Sequence, residues 1–274
     1  MVIGWLHKMN KGSKPFFSII SVNLNNAEGL QKTIDSLNEQ DITDWEHIIQ
    51  DGGSVDDSLR IMANDKCTKR HSRSSHDGGI YQGMNLALFQ TTGNFVWFLN
   101  SGDVFAHSNV LRMVKESWEK FGWQWAFGGI IFESTSNNKA TASLPIDISR
   151  KQVLRGNQFY PHPSCIYSKS LLSEIGHYRP EFGTGADQEL CLRAESLDTP
   201  HIIPEFLAIF EPAGSAGGYT PLKYELMFRR IRKQSREQVG RNAILDSLWL
   251  IWRVCYRTVA SLKASKLATK NIRV

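Results

Sequence analysis

Five short clusters in this 274-residue chain carry residue types that could do chemistry. Asp51-Gly52-Gly53-Ser54-Val55-Asp56-Asp57 follows the apolar run Trp45 to Gln50. A carboxylate there can accept from a nucleobase or a ribose, and two glycines let a flat ligand approach the backbone. The same residues can also make a simple turn in which Ser54 or Asp56 caps the next helix. In Asp77-Gly78-Gly79-Ile80-Tyr81, which precedes Met84-Asn85, Asp77 is placed to cap a helix, with Ile80 and Met84 in the core. Asn100-Ser101-Gly102-Asp103 follows Phe95 to Leu99. Asp103 is a hard oxygen ligand there, suited to Mg²⁺ or Mn²⁺ carrying a diphosphate, or it ends an ordinary turn. Asp187, in Gly185-Ala186-Asp187-Gln188-Glu189, is either a base for a hydroxyl proton or the cap of a helix. His162 lies between Pro161 and Pro163, which makes it rigid. It can orient another group, touch phosphate, bind metal or be structural.

These clusters need elements to place them. Phe16 to Val22, Trp45 to Gln50 and Asn94 to Leu99 are short, apolar runs that predict buried strands. Between them, helical spacing predicts helices over Gly29 to Asn38, Asp56 to Ala63 and Gly79 to Phe89, with another over Val110 to Phe121. Strands alternating with helices predict a parallel sheet covered on both faces, with ligands beyond the carboxyl ends of its strands. Further along, Trp125 to Phe132 and Phe159 to Tyr167 predict strands, separated by a polar stretch, Glu133 to Ser143. Helices follow over Ser168 to Ile175, closed by Gly176, and over Ala186 to Glu195. His201 to Phe210 predicts a strand that Pro204 assigns to an edge. Glu211 to Thr220 is glycine-rich, and Pro221 onward predicts a basic amphipathic helical tail.

Composition and charge narrow the class. The four cysteines, Cys67, Cys165, Cys191 and Cys255, form no C-x-x-C pair, which fits reduced thiols better than a zinc site or a disulfide framework. Met1 to Pro15 has no apolar run of signal-peptide length, and no window has the ~18 apolar residues of a spanning helix, so the expected location is cytoplasmic. From Tyr219 to Val274 there are 13 Lys and Arg against 3 Asp and Glu, while the rest of the chain is mildly acidic. Tryptophans, leucines and arginines mixed over Leu245 to Arg257 suit a helix at an anionic membrane surface, at the inner face of the plasma membrane. The alternative is a helix packed on the sheet domain with its arginines in water. No nucleic-acid motif accompanies the charge.

Read together, the clusters resemble family 2 of the inverting GT-A glycosyltransferases, in its bacterial polysaccharide and glycolipid branch. The resemblance covers Phe16 to Gly218 and includes Ser18 to Asn25 beside the clusters above. It implies an α/β fold of GT-A (Rossmann-like) type, with a central, mostly parallel sheet flanked by helices. It divides the chain into an extension over 1–15, a GT-A domain over 16–218 and a basic helical tail over 219–274.

The resemblance also implies roles. Asn23 and Asn25 line the nucleotide pocket, Asp51 takes the base through a ring N–H, and Asp77 lies at the pocket edge. Asp103 matches the last acid of the D-x-D element, which binds the divalent cation (Mg or Mn) and the diphosphate. Asp187 matches the general base. His162 matches a histidine on the acceptor side, and Gly217-Gly218 a glycine pair of the mobile loop over the phosphates. Two positions depart from the pattern. Ser101-Gly102 stands where an acid is usual, leaving ribose contact to Ser101 or to backbone, and Ala186 stands where many members have Glu.

The implied reaction moves a sugar from a nucleotide-sugar donor to a hydroxyl of a saccharide or lipid-linked acceptor, in cell-surface polysaccharide biosynthesis. A nucleotidyltransferase would carry a glycine-rich, lysine-bearing loop after the first strand, and Asn23 to Glu28 has no lysine. An inactive nucleotide-binding scaffold of the same fold has the missing acid as its only support.

Overall fold

A computed structural model describes residues 14–134, 139–144, 148–210, 220–235, 244 and 247–259. The first half runs β1 (Phe17–Asn23), α1 (Ala27–Asn38), β2 (Trp45–Asp51), α2 (Ser58–Asn64), β3 (Arg70–Ser74), α3 (Ile80–Leu88), β4 (Phe95–Phe98), β5 (Val104–Phe105) and α4 (Val110–Phe121). The second half runs β6 (Trp125–Ser134), β7 (Lys139–Ser143), α5 (Arg150–Leu154), β8 (Cys165–Ser168), α6 (Lys169–Ile175), α7 (Ala186–Glu195), β9 (His201–Phe210) and α8 (Pro221–Gln234). Residues 247–259 form a last helix, α9.

All of these strands join one sheet, ordered β3-β2-β1-β4-β8-β6-β9-β5, with β7 paired to β6. The parallel part is β3-β2-β1-β4. Beyond β4 the sheet is mixed: β8 is antiparallel to both β4 and β6, while β9 runs parallel to β6. Alternation along the strands splits the core in two. Phe17, Ile19, Phe95, Trp97 and Leu99 pack with Leu37 of α1 and Val110, Leu111 and Val114 of α4. Ile20, Val22, Val96 and Phe98 pack with Met84 of α3, Leu190 of α7 and Phe228 and Ile231 of α8.

Several elements differ from the sequence expectation. β9 is not an edge, because β6 pairs along it and β5 pairs at Ile209 and Ala208. Pro204 is tolerated because the β6–β9 register shifts where it sits, between the Phe127–Ile202 and Gly129–Phe206 pairs. Glycines in β6 allow that irregularity: a Cβ on Gly128 would lie 2.4 Å from Leu207. The strand expected from Phe159 shortens to Cys165–Ser168, because Pro161 and Pro163 turn His162–Ser164 into a 3-10 helix. β3, Arg-His-Ser-Arg-Ser, is a charged, exposed edge strand that no apolar pattern announces. α8 buries Phe228 and Ile231 in the same core as α7, so packing continues across the boundary expected at residue 218.

Candidate active site

Parallel strands deliver their carboxyl ends to one rim, and β1 and β2 end in register with Asn23 opposite Asp51. Asp51 is fully buried. Its Oδ1 accepts from Asn23 Nδ2 at 2.8 Å and Ser54 Oγ at 2.5 Å. Its Oδ2 accepts from the N–H groups of Gly53 and Ser54 at 3.1 and 2.8 Å and from Ser74 Oγ at 2.6 Å. Burial pushes this carboxyl up, but the bonds from Ser54, Ser74 and Asn23 outweigh it and hold it below its usual value. Five donors thus converge on this one carboxylate. In this structure Asp51 ties the loops that follow β1 and β2 to the end of β3. Asn23 is part of that knot. Asn25, at φ 50°, ties the two loops: its N–H donates to Ser54 Oγ at 2.7 Å and its Oδ1 accepts from Val55 N–H at 2.8 Å.

Asp77, beside this knot, is partly exposed. It accepts from Gly79 N–H at 2.9 Å. Glycines make room for it: a Cβ on Gly83 would lie 2.5 Å from Asp77 Oδ2, and one on Gly52 would lie 3.3 Å away.

The Asn100-Ser101-Gly102-Asp103 turn is held by the start of α1. Asn26, the N-cap of α1, donates to the Ser101 carbonyl at 3.0 Å. Gly102 N–H donates to Thr33 Oγ1 at 3.0 Å, and Thr33 Oγ1 donates to the Asp103 carbonyl at 2.8 Å. Gly102 sits at φ 103°, where only glycine is comfortable. Asp103 is 4% exposed. The Ser101 hydroxyl is buried and has no hydrogen-bond partner.

The other side of the rim is aromatic. Tyr178 packs its ring 5.0 Å from Phe98, at the end of β4, and 5.3 Å from Tyr81 on α3. His162 Nε2 is 2.9 Å from the Tyr178 hydroxyl. Burial lowers the His162 pKa to about 4, so the ring is neutral at pH 7. Asp187, half-buried in the first turn of α7, is close enough to Tyr178 for its charge to help raise that phenol, after burial itself. Burial pushes the Asp187 carboxyl up to about 6, against the opposing hydrogen bonds from Gln188. A carboxylate poised there is a base near neutral pH.

Two side-chain amides build this side. Asn85 donates to the Tyr178 carbonyl and accepts from its N–H, both at 3.0 Å. Gln188 does the same to Tyr160, both bonds at 2.9 Å. Glu189 anchors the helix start: it is 3% exposed and pairs with Arg179 at 2.9 Å and Arg193 at 2.8 Å.

The family model of glycosyl transferase family 2 matches residues 18–176. The chain belongs to that family. An uncharacterised glycosyltransferase of Mycobacterium tuberculosis is 32% identical over 206 residues, 74% of this chain and 77% of the relative. A PGL/p-HBAD biosynthesis glycosyltransferase of Mycobacterium bovis is 27% identical over 199 residues, covering 71% and 75% of the two chains. Residues 1–349 of Staphylococcus aureus TarS, solved with UDP-GlcNAc, superpose with a TM-score of 0.66 at 17% identity, covering 86% of this chain and 70% of that fragment. That likeness establishes the GT-A fold.

In this family 2 glycosyltransferase the predicted residues fall into two groups along one rim. Asn23, Asn25, Asp51, Asp77, Ser101, Gly102 and Asp103 gather at the ends of β1, β2 and β4. His162 and Asp187 gather around Tyr178. Gly217 and Gly218 lie outside the described residues. Among the described residues no three His, Cys, Asp or Glu side chains gather as a metal site. Asp103 and the buried Ser101 hydroxyl are the oxygens the Ser101-Gly102-Asp103 turn offers. A divalent cation fits there only with diphosphate oxygens completing its shell. Sequence reading missed Tyr178, Asn26, Thr33 and the two amide clamps. Asn85 and Gln188 were visible inside the motifs, but their partners are backbone groups 93 and 28 residues away.

Proposed function

We propose that this glycosyltransferase moves a sugar, with inversion, from a nucleotide-sugar to a hydroxyl of a lipid-linked saccharide or glycolipid during cell-surface polysaccharide or glycolipid biosynthesis. The observation that carries the reading is Asp187, a carboxylate raised to about 6 behind the aromatic wall at the end of β4. Inversion needs one base opposite the leaving group, and Asp187 is that base: it takes the acceptor hydroxyl proton as the oxygen attacks the anomeric carbon. Tyr178 and Tyr81 form the wall against which the sugars lie. His162, neutral, holds the Tyr178 hydroxyl. The nucleotide occupies the rim at β1, β2 and β4, with Asp77 as the carboxylate facing it and Asp51 supporting the loops. Asp103 and Ser101 would hold a divalent cation together with the diphosphate, and that charge would stabilise the leaving nucleoside diphosphate.

Relatives support the substrate class. The M. bovis relative belongs to PGL/p-HBAD biosynthesis. A Campylobacter jejuni relative, 28% identical over 177 residues and covering 61% of this chain and 56% of its own, is a GalNAc(5)-diNAcBac-PP-undecaprenol beta-1,3-glucosyltransferase. TarS was solved with UDP-GlcNAc, and a Pyrobaculum calidifontis mannosyltransferase with GDP-Man and Mn²⁺. The test is a screen of UDP- and GDP-sugars with Mn²⁺ for hydrolysis and transfer, followed by the anomeric configuration of the product. One donor should be turned over with inversion. A retained configuration would rule out the single-base mechanism.

A further inference from the structure

Helix α9 has its polarity reversed. Arg253, 7% exposed, faces inward and pairs with the fully buried Glu225 of α8 at 3.2 Å. Arg257 pairs with the same carboxylate at 2.5 Å and donates to the Gly156 carbonyl at 2.6 Å. Trp249 lies under Arg232 and Arg253, with the guanidinium carbons 4.6 and 5.4 Å from its ring. The arginines of α9 are thus spent inside the protein. The outward face is apolar. Leu248, Ile251, Trp252, Tyr256 and Val259 are each more than half exposed, at the i, i+3, i+4, i+8, i+11 spacing of one helical stripe. The rings of Trp252 and Tyr256 stack at 5.6 Å. Cys255, also exposed, lies in the same stripe.

We propose that this stripe docks on a lipid bilayer, lying in the boundary between headgroups and acyl chains. The inference rests on the lipid-linked acceptor of the proposed function. Paired Trp and Tyr suit that boundary, where an amphipathic ring has one end wet and the other dry. No helix among the described residues is long and apolar enough to cross a membrane, so α9 lies on the surface. The sequence that follows matches anionic headgroups: from Thr258 to Val274 it carries Lys263, Lys266, Lys270 and Arg273 and no acid. Basic residues after the helix, rather than the arginines within it, supply the attraction to charge. This reverses the expectation that the arginines of α9 meet lipid.

The docking face also connects to the acceptor side. Arg253 donates to the Arg155 carbonyl at 3.1 Å, and Arg257 to that of Gly156. Four residues later Tyr160 is clamped by Gln188, the neighbour of Asp187. One short segment therefore runs from the lipid-facing helix to the base.

The experiment is flotation of the full chain with vesicles of phosphatidylcholine alone and of phosphatidylcholine with phosphatidylglycerol. Wild type should float with both, more with the anionic mixture, and high salt should remove only the anionic excess. The double variant Ile251→Ser, Trp252→Ser should lose about tenfold or more of its binding to both. Lys263→Gln, Lys266→Gln, Lys270→Gln should lose only the anionic preference. A bimane label on Cys255, in a Cys67→Ser background, should shift to the blue with vesicles and be quenched by brominated lipid, which reports the depth of the stripe directly. Transfer to a water-soluble acceptor fragment should be the same in wild type and in the Ile251→Ser, Trp252→Ser variant. Absence of transfer from both would fault the enzymatic reading while leaving flotation to decide docking. Equal flotation of wild type and the double variant, or no label shift, overturns the proposal. So does a dimer of the free protein that the double variant breaks, since a second copy would then occupy the stripe.

Discussion

Asp187 carries opposite consequences for activity and stability. Its folded pKa, about 6, lies above the usual carboxylate value. A raised pKa in an acid means the fold disfavours the charged form. Stability should therefore fall as pH rises through the window from about 4 to 6, where the unfolded chain has already lost the proton. The proposed single-base reaction runs the other way, because it needs Asp187 ionised: it predicts that kcat/KM rises through pH 6 and levels off. Asp187→Asn keeps an acceptor for Gln188 N–H and removes the buried charge. Activity should drop by about 10²- to 10⁴-fold. Urea unfolding at pH 7 should show a protein no less stable, and up to about 1 kcal/mol more so after allowance for partial exposure. A variant both inactive and strongly destabilised would point to a structural role. Asp103 gives a second prediction at this scale. One carboxylate and a hydroxyl make a poor Mn²⁺ site, so calorimetry should detect weak Mn²⁺ binding alone and about tenfold tighter binding with UDP or GDP present. Tight binding of Mn²⁺ by the free protein would show that the turn does not depend on phosphate oxygens.

At the scale of elements, the glycine in α3 separates packing from binding. Gly83→Ala improves helix propensity by about 1 kcal/mol. Its Cβ would meet Asp77 Oδ2 at 2.5 Å and Val22 at 3.3 Å. The carboxylate can swing aside, so thermal unfolding should move little, while nucleotide affinity should fall by about tenfold (~1.4 kcal/mol). Unchanged affinity would remove Asp77 from the nucleotide site. The elements also mark the limits of what the chain reveals by pattern. β1, β2 and β4 follow from short apolar runs and α1, α3 and α4 from helical spacing, and so does the placement of Asp103 at a strand end, whereas α7 is buried on nearly every side and Asp187 is assigned a role only through the family resemblance. β3 does not follow from pattern either, because a polar edge strand has no buried face to imprint a period. That omission hid one partner of Asp51, the Ser74 hydroxyl at the end of β3. Pro204 misled by the opposite route. The rule that places proline at edges is a rule about a missing N–H, and a register shift removes the need for one. Asn85 and Gln188 act on backbone groups, which have no signature in sequence at all.

At the scale of the whole molecule, the two helices of the basic tail share a buried charge where they meet. Glu225 is fully buried, and Arg253 and Arg257 both turn to it across the α8–α9 contact. Such a cluster tolerates the loss of one partner badly, because the remaining charge stays desolvated. Glu225→Ala should cost about 3–5 kcal/mol in urea unfolding, since Arg253 would be left buried beside Trp249 without a counter-charge. Phe228 and Ile231, one and two turns further along α8, pack in the core that also holds Leu190 of α7 and Phe98 of β4. The loss should therefore appear as one cooperative transition at a lower urea midpoint, not as an early step in which the tail alone melts. Two resolved transitions would mean that α8 and α9 fold as a separate unit. A single transition ties the exposed stripe of α9, the Gly156 segment and Asp187 into one cooperative body.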